Sequence, residues 1–217
     1  METLIIGAGE VGKALYEILS EHYPTNIIDK NATHEGSVDY LHITFPYSDK
    51  FVEIVKEYQN KYQPKFTIIH STVPVGTSRR CMAIHSAIRG VHPNLEEGIR
   101  TFPKFLAGEQ ASEVADYFRR AGLKVILFDK QETSEAAKLL DTEYYRTCVE
   151  FCHRVKKFCD KYDLNFHEVY TLPNQSYNEG YAELGHPEYV RPILQPIMKE
   201  IGGHCLLPNQ KIISAQE

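Results

Sequence analysis

Leu4-Ile5-Ile6-Gly7-Ala8-Gly9-Glu10-Val11-Gly12 opens the chain with a short apolar run and, directly behind it, the spacing G-x-G-x-x-G. The run reads as a buried strand, and the segment Val11–His22 that follows reads as a helix. Strand, glycine turn and helix in this order are the elements of a dinucleotide site. Gly7 allows the tight turn, Gly9 leaves room for phosphate oxygens, and Gly12 lets helix and strand approach closely. The helix start, at Glu10 and Val11, offers unpaired N–H groups and the positive end of the helix dipole. A glycine turn with a purely structural role is the plain alternative. Asp29 weighs against it, because it follows a second apolar pair, Ile27-Ile28, twenty residues past Gly9. A carboxylate there accepts hydrogen bonds from a ribose and favours NAD, while Lys30 beside it would suit the extra phosphate of NADP.

Working outward, short β-rich runs alternate with helical segments. Strands are predicted at Thr3–Ile6, Asn26–Ile28, Tyr40–Phe45, Phe66–His70, Ile88–Val91, Phe105–Ala107 and Lys124–Phe128. Helices are predicted at Val11–His22, Asp49–Tyr62 and Ser112–Ala121. This alternation predicts an α/β Rossmann domain, residues 1–130, with a doubly wound parallel sheet. Pro46, Ser71 and Thr72, placed after two of these strands, complete the expected cofactor contacts.

The pattern changes near Glu132. From there to Tyr162 there is no Gly or Pro, and Thr133 or Ser134 is a candidate N-cap. Leu140, Tyr144, Cys148, Cys152, Val155, Cys159 and Tyr162 recur at spacings of three and four, which places them on one face of a single helix. Such a helix is on the order of 45 Å long, more than a small domain needs. It is read as the spine of a homodimer, with a helix lying across its own Rossmann domain as the alternative. Residues 131–217 are thus expected to form a helical dimerisation and substrate region. A short helical stretch is expected at Phe166–Thr171, followed by a polar, Tyr- and Gly-rich segment from Pro173 to Pro187. Its part Tyr177–Tyr189 reads either as a substrate lid or as a packed loop.

The composition excludes several classes. The net charge is −5 and the basic residues are scattered, which argues against nucleic acid as a partner. No apolar run approaches the ~20 residues of a membrane span, and no leader is expected ahead of the first strand. The five cysteines form no C-x-x-C pair, so a reduced, cytoplasmic protein is expected. The His and Cys spacings match no ligand pattern, so no metal is expected. Arg191, between Val190 and Pro192, is a candidate clamp for an anionic small-molecule substrate or else a surface arginine.

Three further segments carry a resemblance: Ser71-Thr72-Val73-Pro74-Val75-Gly76-Thr77, then Glu135-Ala136-Ala137-Lys138, then Gly202-Gly203-His204-Cys205. In this order behind a glycine fingerprint, they resemble the UDP-glucose/GDP-mannose dehydrogenases, a nucleotide-sugar family of the wider 6-phosphogluconate-dehydrogenase-like group. The resemblance implies an NAD-dependent oxidoreductase that oxidises an alcohol of a sugar-like or hydroxy-acid substrate. It implies that Cys205 attacks the aldehyde, that Lys138 stabilises the developing oxyanion, and that Thr72 positions water. A thiolate is a strong nucleophile, and a cation beside a forming alkoxide is a large electrostatic contribution. The family carries Asn, a carboxylate and Asp where Thr142, Asn94 and Asn209 stand here; Glu97 is the nearby replacement carboxylate, and Glu97 and Asn209 are taken as substrate contacts. The family also continues into a second nucleotide-binding domain past the cysteine motif, so a short, divergent member is expected. These departures keep a second reading open: a catalytically degenerate NAD-binding protein acting as a sensor or complex subunit.

Overall fold

β1 (Thr3–Ile6) is buried along its whole length and pairs in parallel with both β2 (Thr25–Ile28) and β3 (Tyr40–Ile43). β4 (Phe66–Ile69) adds to β3, and β5 (Ile84–His85) adds to β4, again in parallel. The strand order is β2-β1-β3-β4-β5. The order reverses between β1 and β3, and that crevice at the carboxyl ends of the strands is where doubly wound sheets bind ligands. β6 (Lys104–Leu106) and β7 (Val125–Leu127) pair in parallel as a separate two-stranded ladder, joined to β5 by an antiparallel His85–Ala107 bridge. The computed structural model describes residues 1–30, 32–90, 93–196 and 206–216.

Side chains alternate across β1 as the pleat requires. Ile5 packs with Leu15, Ile18 and Leu19 of α1 (Glu10–Ser20), with Leu95 and Ile99 of α4 (Leu95–Thr101), and with Val114 and Phe118 of α5 (Ala111–Arg120). Leu4 and Ile6 face the other way, onto Phe51 and Val55 of α2 (Phe51–Tyr62). One short helix, α3 (Thr77–Arg80), lies within the sheet-edge loops.

Four expectations need correction. The fifth strand lies at Ile84–His85 and not at Ile88–Val91; Ile88 is buried in the core under α4, but in a loop. Its apolar character reports burial alone, which a short run shares with strands. Neither Thr133 nor Ser134 caps α6 (Gln131–Lys161), because the helix begins at Gln131 and Ser134 is inside it. The segment after Pro173 is helical as far as Glu183: a π-helical turn, His167–Thr171, runs directly into α7 (Leu172–Glu183). Pro173 sits in the first turn, where a missing N–H costs nothing. The fourth concerns the long helix. Cys152 and Cys159 are 1% exposed and Val149 is buried with them, whereas Leu140, Tyr144 and Tyr162 are more than half exposed. At 100° per residue the expected single face therefore divides into two adjoining stripes. Phe151 and Phe158 join the outer one. The chain turns out of α6 at Asp163, which adopts a left-handed φ of 52°, while Leu164 N–H closes on the Cys159 carbonyl at 2.9 Å.

The chain divides into two compact units, Met1–Leu139 with Gln216, and Leu140–Ala215. The division falls inside α6. The first turns of α6 belong to the Rossmann unit because Ser134, Glu135 and Leu139 are buried there. The remaining helix, α8 (Leu206–Ser214), belongs to the second unit. Among the described residues, no helix is long and apolar enough to cross a membrane.

Candidate functional site

The glycine turn is built at the β1–β3 reversal. Gly7 follows β1 with a φ of 113°, a conformation that side chains rarely adopt, and its N–H bonds to the Ile28 carbonyl at 2.8 Å. A Cβ on Gly12 would stand 1.9 Å from the Gly7 carbonyl oxygen, so α1 and the turn touch backbone to backbone. A Cβ on Gly9 would meet nothing within 4 Å. The two glycines therefore do different jobs: Gly12 closes the packing and Gly9 leaves the start of α1 open. Glu10 is exposed and Val11 half-buried at that helix start. The Thr44 hydroxyl lies 2.9 Å from both the Ile6 and the Gly7 carbonyl oxygens and ties β3 to the turn. Thr44 stands one residue past β3 and was legible only once the β1–β3 pairing was known.

Asp29 and Lys30 are exposed just past β2, and Asp29 Oδ1 accepts the Lys30 N–H at 2.8 Å. This holds the carboxylate at the carboxyl end of the strand beside β1. Pro46 is exposed beyond β3. Ser71 donates its hydroxyl proton to the Phe45 carbonyl at 2.5 Å and so joins the loops after β3 and β4. Thr72 is half-buried in the same loop.

The loop from Ser71 to Ser78 is held from below by the first turns of α6. Glu135 is fully buried and accepts the N–H of Gly76 (2.6 Å) and of Ser78 (2.7 Å). Burial raises its pKa, and the backbone hydrogen bonds pull it back down. His85 Nε2 reaches the Ser71 carbonyl (3.2 Å), and Ser134 lies 2.6 Å from His85 Nδ1. A carbonyl can only accept, so Nε2 carries the proton and Nδ1 accepts from the serine. Burial pushes the His85 pKa down to about 4 against the Ser71 hydrogen bond, and the charges of Lys104 and Lys138 lower it further. Lys138, half-buried one turn past Ser134, is thus electrostatically felt at the Ser71 loop. Of the E-x-x-K segment, Glu135 anchors the loop through those two backbone N–H groups, and the charge of Lys138 is felt at His85.

Other expected site residues are not gathered here. Cys205 lies outside the described residues, as does the Gly202–His204 part of its motif. Glu97 is exposed in the first turn of α4, whose Arg100 bonds Glu21 just past the far end of α1. Asn209 is buried on α8, and Arg191 lies exposed in the helical unit.

A second polar assembly had no sequence signal. His42 on β3, His70 after β4, Tyr117 on α5 and Thr3 on β1 form a buried chain under α5. His70 Nδ1 donates to the Ser86 carbonyl at 2.7 Å, so its Nε2 must accept from His42 Nδ1 at 2.8 Å. His42 Nε2 then accepts from Tyr117 at 3.3 Å, and the Tyr117 oxygen accepts from Thr3 at 3.0 Å. Every bond is made with both imidazoles neutral. Burial drives the His42 pKa to about 3 and that of His70 well below its ordinary value. Lys104, buried with its ammonium 3.4 Å from the Ser86 carbonyl, is lowered by desolvation to about 7.

No protein-family model and no curated protein matches this sequence. Solved structures do. UDP-D-ManNAc dehydrogenase from Pyrococcus horikoshii superposes with a TM-score of 0.79 at 14% identity, over 100% of this chain and 65% of that one. The 3-hydroxyisobutyrate dehydrogenase of Mycobacterium tuberculosis gives 0.71 at 12% identity, over 100% and 86%. Psf3, solved with NADP+ and 2-OPP, gives 0.60 at 11% identity, over 99% and 87%. This chain therefore spans about two thirds of the sugar-nucleotide dehydrogenase and most of the other two. At these identities the likeness is one of fold: a Rossmann-like parallel sheet with flanking helices and a long helix behind it.

Proposed function

We propose that the chain is an NAD-dependent oxidoreductase acting on an alcohol of a sugar-like or hydroxy-acid substrate. One observation carries the reading: at the β1–β3 reversal, Gly12 is jammed against Gly7 while Gly9 faces open space at the start of α1. A turn built only for packing has no need of the second feature. The residues fit a dinucleotide. Gly7, Gly9, Glu10, Val11 and Gly12 would hold the pyrophosphate, and Asp29 the adenosine ribose. Pro46, Ser71 and Thr72 would line the nicotinamide end. When bound, NAD supplies the hydride acceptor. The dehydrogenases and the NADP+ complex among the similar folds support a nicotinamide cofactor. The exposed Asp29 carboxylate favours NAD, since a 2′-phosphate would meet its charge.

In this reading Lys138 stabilises negative charge on the substrate oxygen as its proton passes to the water that Thr72 orients. Thr72 orients water on the loop that Glu135 and His85 hold. Cys205 would be the nucleophile for a second oxidation step. The outer stripe of α6 would seat a second copy of the chain and make the homodimer. Titration of the purified protein with NAD and NADP, followed by assays for NADH with sugars, sugar nucleotides and hydroxy acids, tests the proposal. Support is NAD binding with turnover that Lys138→Ala abolishes while affinity for NAD is kept. Binding without turnover on any alcohol favours the sensor reading that Thr142, Asn94 and Asn209 suggest. Failure to bind either dinucleotide sinks both.

A further inference from the structure

The helical unit contains an open cavity of about 490 Å³ lined by its own residues, most of them exposed and Tyr170 buried at its floor. Phe151, Tyr170 and Pro192 supply apolar wall, and Arg154 and Arg191 supply two cations. The Arg191 guanidinium stacks on the Tyr177 ring, 3.4 Å from its centroid. A guanidinium stacked by its face keeps its N–H edge for in-plane bonds. Its backbone is fastened at both ends, because Arg191 N–H donates to Asn178 Oδ1 at 2.8 Å and Asn178 Nδ2 donates to the Arg191 carbonyl at 3.0 Å. The next residue is fastened too, with Tyr170 donating to the Pro192 carbonyl at 3.0 Å. Arg154 lies over Phe151 at 5.2 Å.

The charge balance of the cavity is one-sided. Glu150 is the one carboxylate among its lining residues, and Arg146 already binds that carboxylate. Among the described residues neither Arg154 nor Arg191 forms an ion pair. Two ring-supported guanidiniums beside an apolar wall match an acid group on an apolar body. Arginine forks bind carboxylate and phosphate alike.

We propose that this cavity binds a small organic anion, its carboxylate or phosphate held by Arg154 and Arg191 and its apolar or ring portion against Phe151, Tyr170 and Pro192. The site functions whether or not the chain oxidises an alcohol, and its occupant need not be the substrate.

Calorimetric titration of the full chain with benzoate, phenyl phosphate and inorganic phosphate tests it. At least one aryl probe should bind one to one and more tightly than inorganic phosphate, because only the aryl probes use the apolar wall. Preference for benzoate would mark a carboxylate site, and preference for phenyl phosphate a phosphate-ester site. Arg191→Gln and Arg154→Gln should each weaken binding about tenfold or more, the loss of a charge-assisted contact. Tyr177→Leu, which removes the stacking support and keeps both charges, should weaken it several-fold and serves if an arginine variant does not fold. The proposal is overturned if none of the probes binds, or if the double arginine variant binds them like the wild type, which would put them elsewhere, such as at the start of α1. It is also overturned if the arginine variants change only the oligomeric state, which would make the cavity a seat for a second copy.

Discussion

The two units of this chain use their apolar residues in opposite ways. The Rossmann unit encloses two apolar clusters, one on each face of its sheet, and has room to bury histidines, a lysine and a glutamate as well. The helical unit buries Val149, Cys152, Cys159 and Tyr170 and leaves Leu140, Tyr144, Phe151, Phe158 and Tyr162 in solvent. α7 buries none of its residues. The first unit is a self-contained core whose vulnerabilities are its buried polar groups. The second leaves an apolar stripe of its long helix in solvent.

If that contrast is right, the largest effect belongs to acid. His42, His70 and His85 have folded pKa values pushed below their unfolded value of about 6.5. Between the folded and unfolded pKa the unfolded chain holds more protons. The stability these residues permit is thus complete above pH 6.5 and is lost as pH falls toward 4 and then 3. All three histidines therefore act in the same direction, each taking stability away as pH falls from about 6.5. Lys104, lowered to about 7, continues the trend upward: the folded state gains stability as pH rises from about 7 to its unfolded value. Urea titrations from pH 5 to 9 should show stability rising throughout, and Lys104→Met should flatten the slope above pH 7. A stability maximum near pH 5 would contradict the neutral chain.

The next effect tests the turn. Gly12→Ala puts a methyl group where the Gly7 carbonyl stands, and a backbone contact at 1.9 Å cannot be relieved by a rotamer. A loss of about 3 kcal/mol is expected, with loss of dinucleotide affinity. Gly9→Ala meets open space and should keep the fold while weakening the dinucleotide alone. The pair separates packing from binding by comparing urea midpoints with NAD titrations. Equal stability losses would deny Gly9 its role at a ligand.

Smaller is the loss at Glu135, whose carboxylate closes two backbone donors. Glu135→Ala leaves the N–H groups of Gly76 and Ser78 without it and should cost about 2 kcal/mol. It should also speed hydrogen exchange at those two amides, measured by mass spectrometry. Unchanged exchange would mean that the loop from Ser71 to Ser78 is held by other contacts.

What was legible follows the range of the interactions. The glycine turn, its strand and its helix are neighbours in the chain, and the residue types alone announce them. The parallel sheet was legible because short β-rich runs alternate with helical segments along the chain. Ile88 misled because a buried loop and a buried strand share a composition. Ser134 read as a cap, since a local hydroxyl near a helix start has that use; its real partner, His85, is remote in sequence. The His42–His70 chain was invisible for the same reason, being assembled across β3, β4 and α5. The long helix was read correctly in extent, but its face was drawn too wide. Periodicity does not tell a stripe buried in its own chain from one left exposed beside it.

The smallest effect on stability tests the exposed stripe, and it is the one that decides whether the helical unit is half of a core. Tyr144 and Phe158 are exposed, so Tyr144→Ser with Phe158→Ser should change the folding free energy of an isolated chain by no more than about 0.5 kcal/mol per site. If the stripe seats a second copy, each ring is buried twice in a two-fold interface, and the double variant should move a dimer toward monomer by well over tenfold in dissociation constant. Light scattering across a dilution series reads the association, and urea unfolding at the lowest concentration reads the monomer. The two together exclude the trivial outcome, because a variant that merely unfolds loses both signals. A wild-type chain that is monomeric at high concentration would leave Leu140, Tyr144, Phe151, Phe158 and Tyr162 exposed on a stable protein. The contrast between the units would then be one of ligand-binding surfaces and not of completed and uncompleted cores.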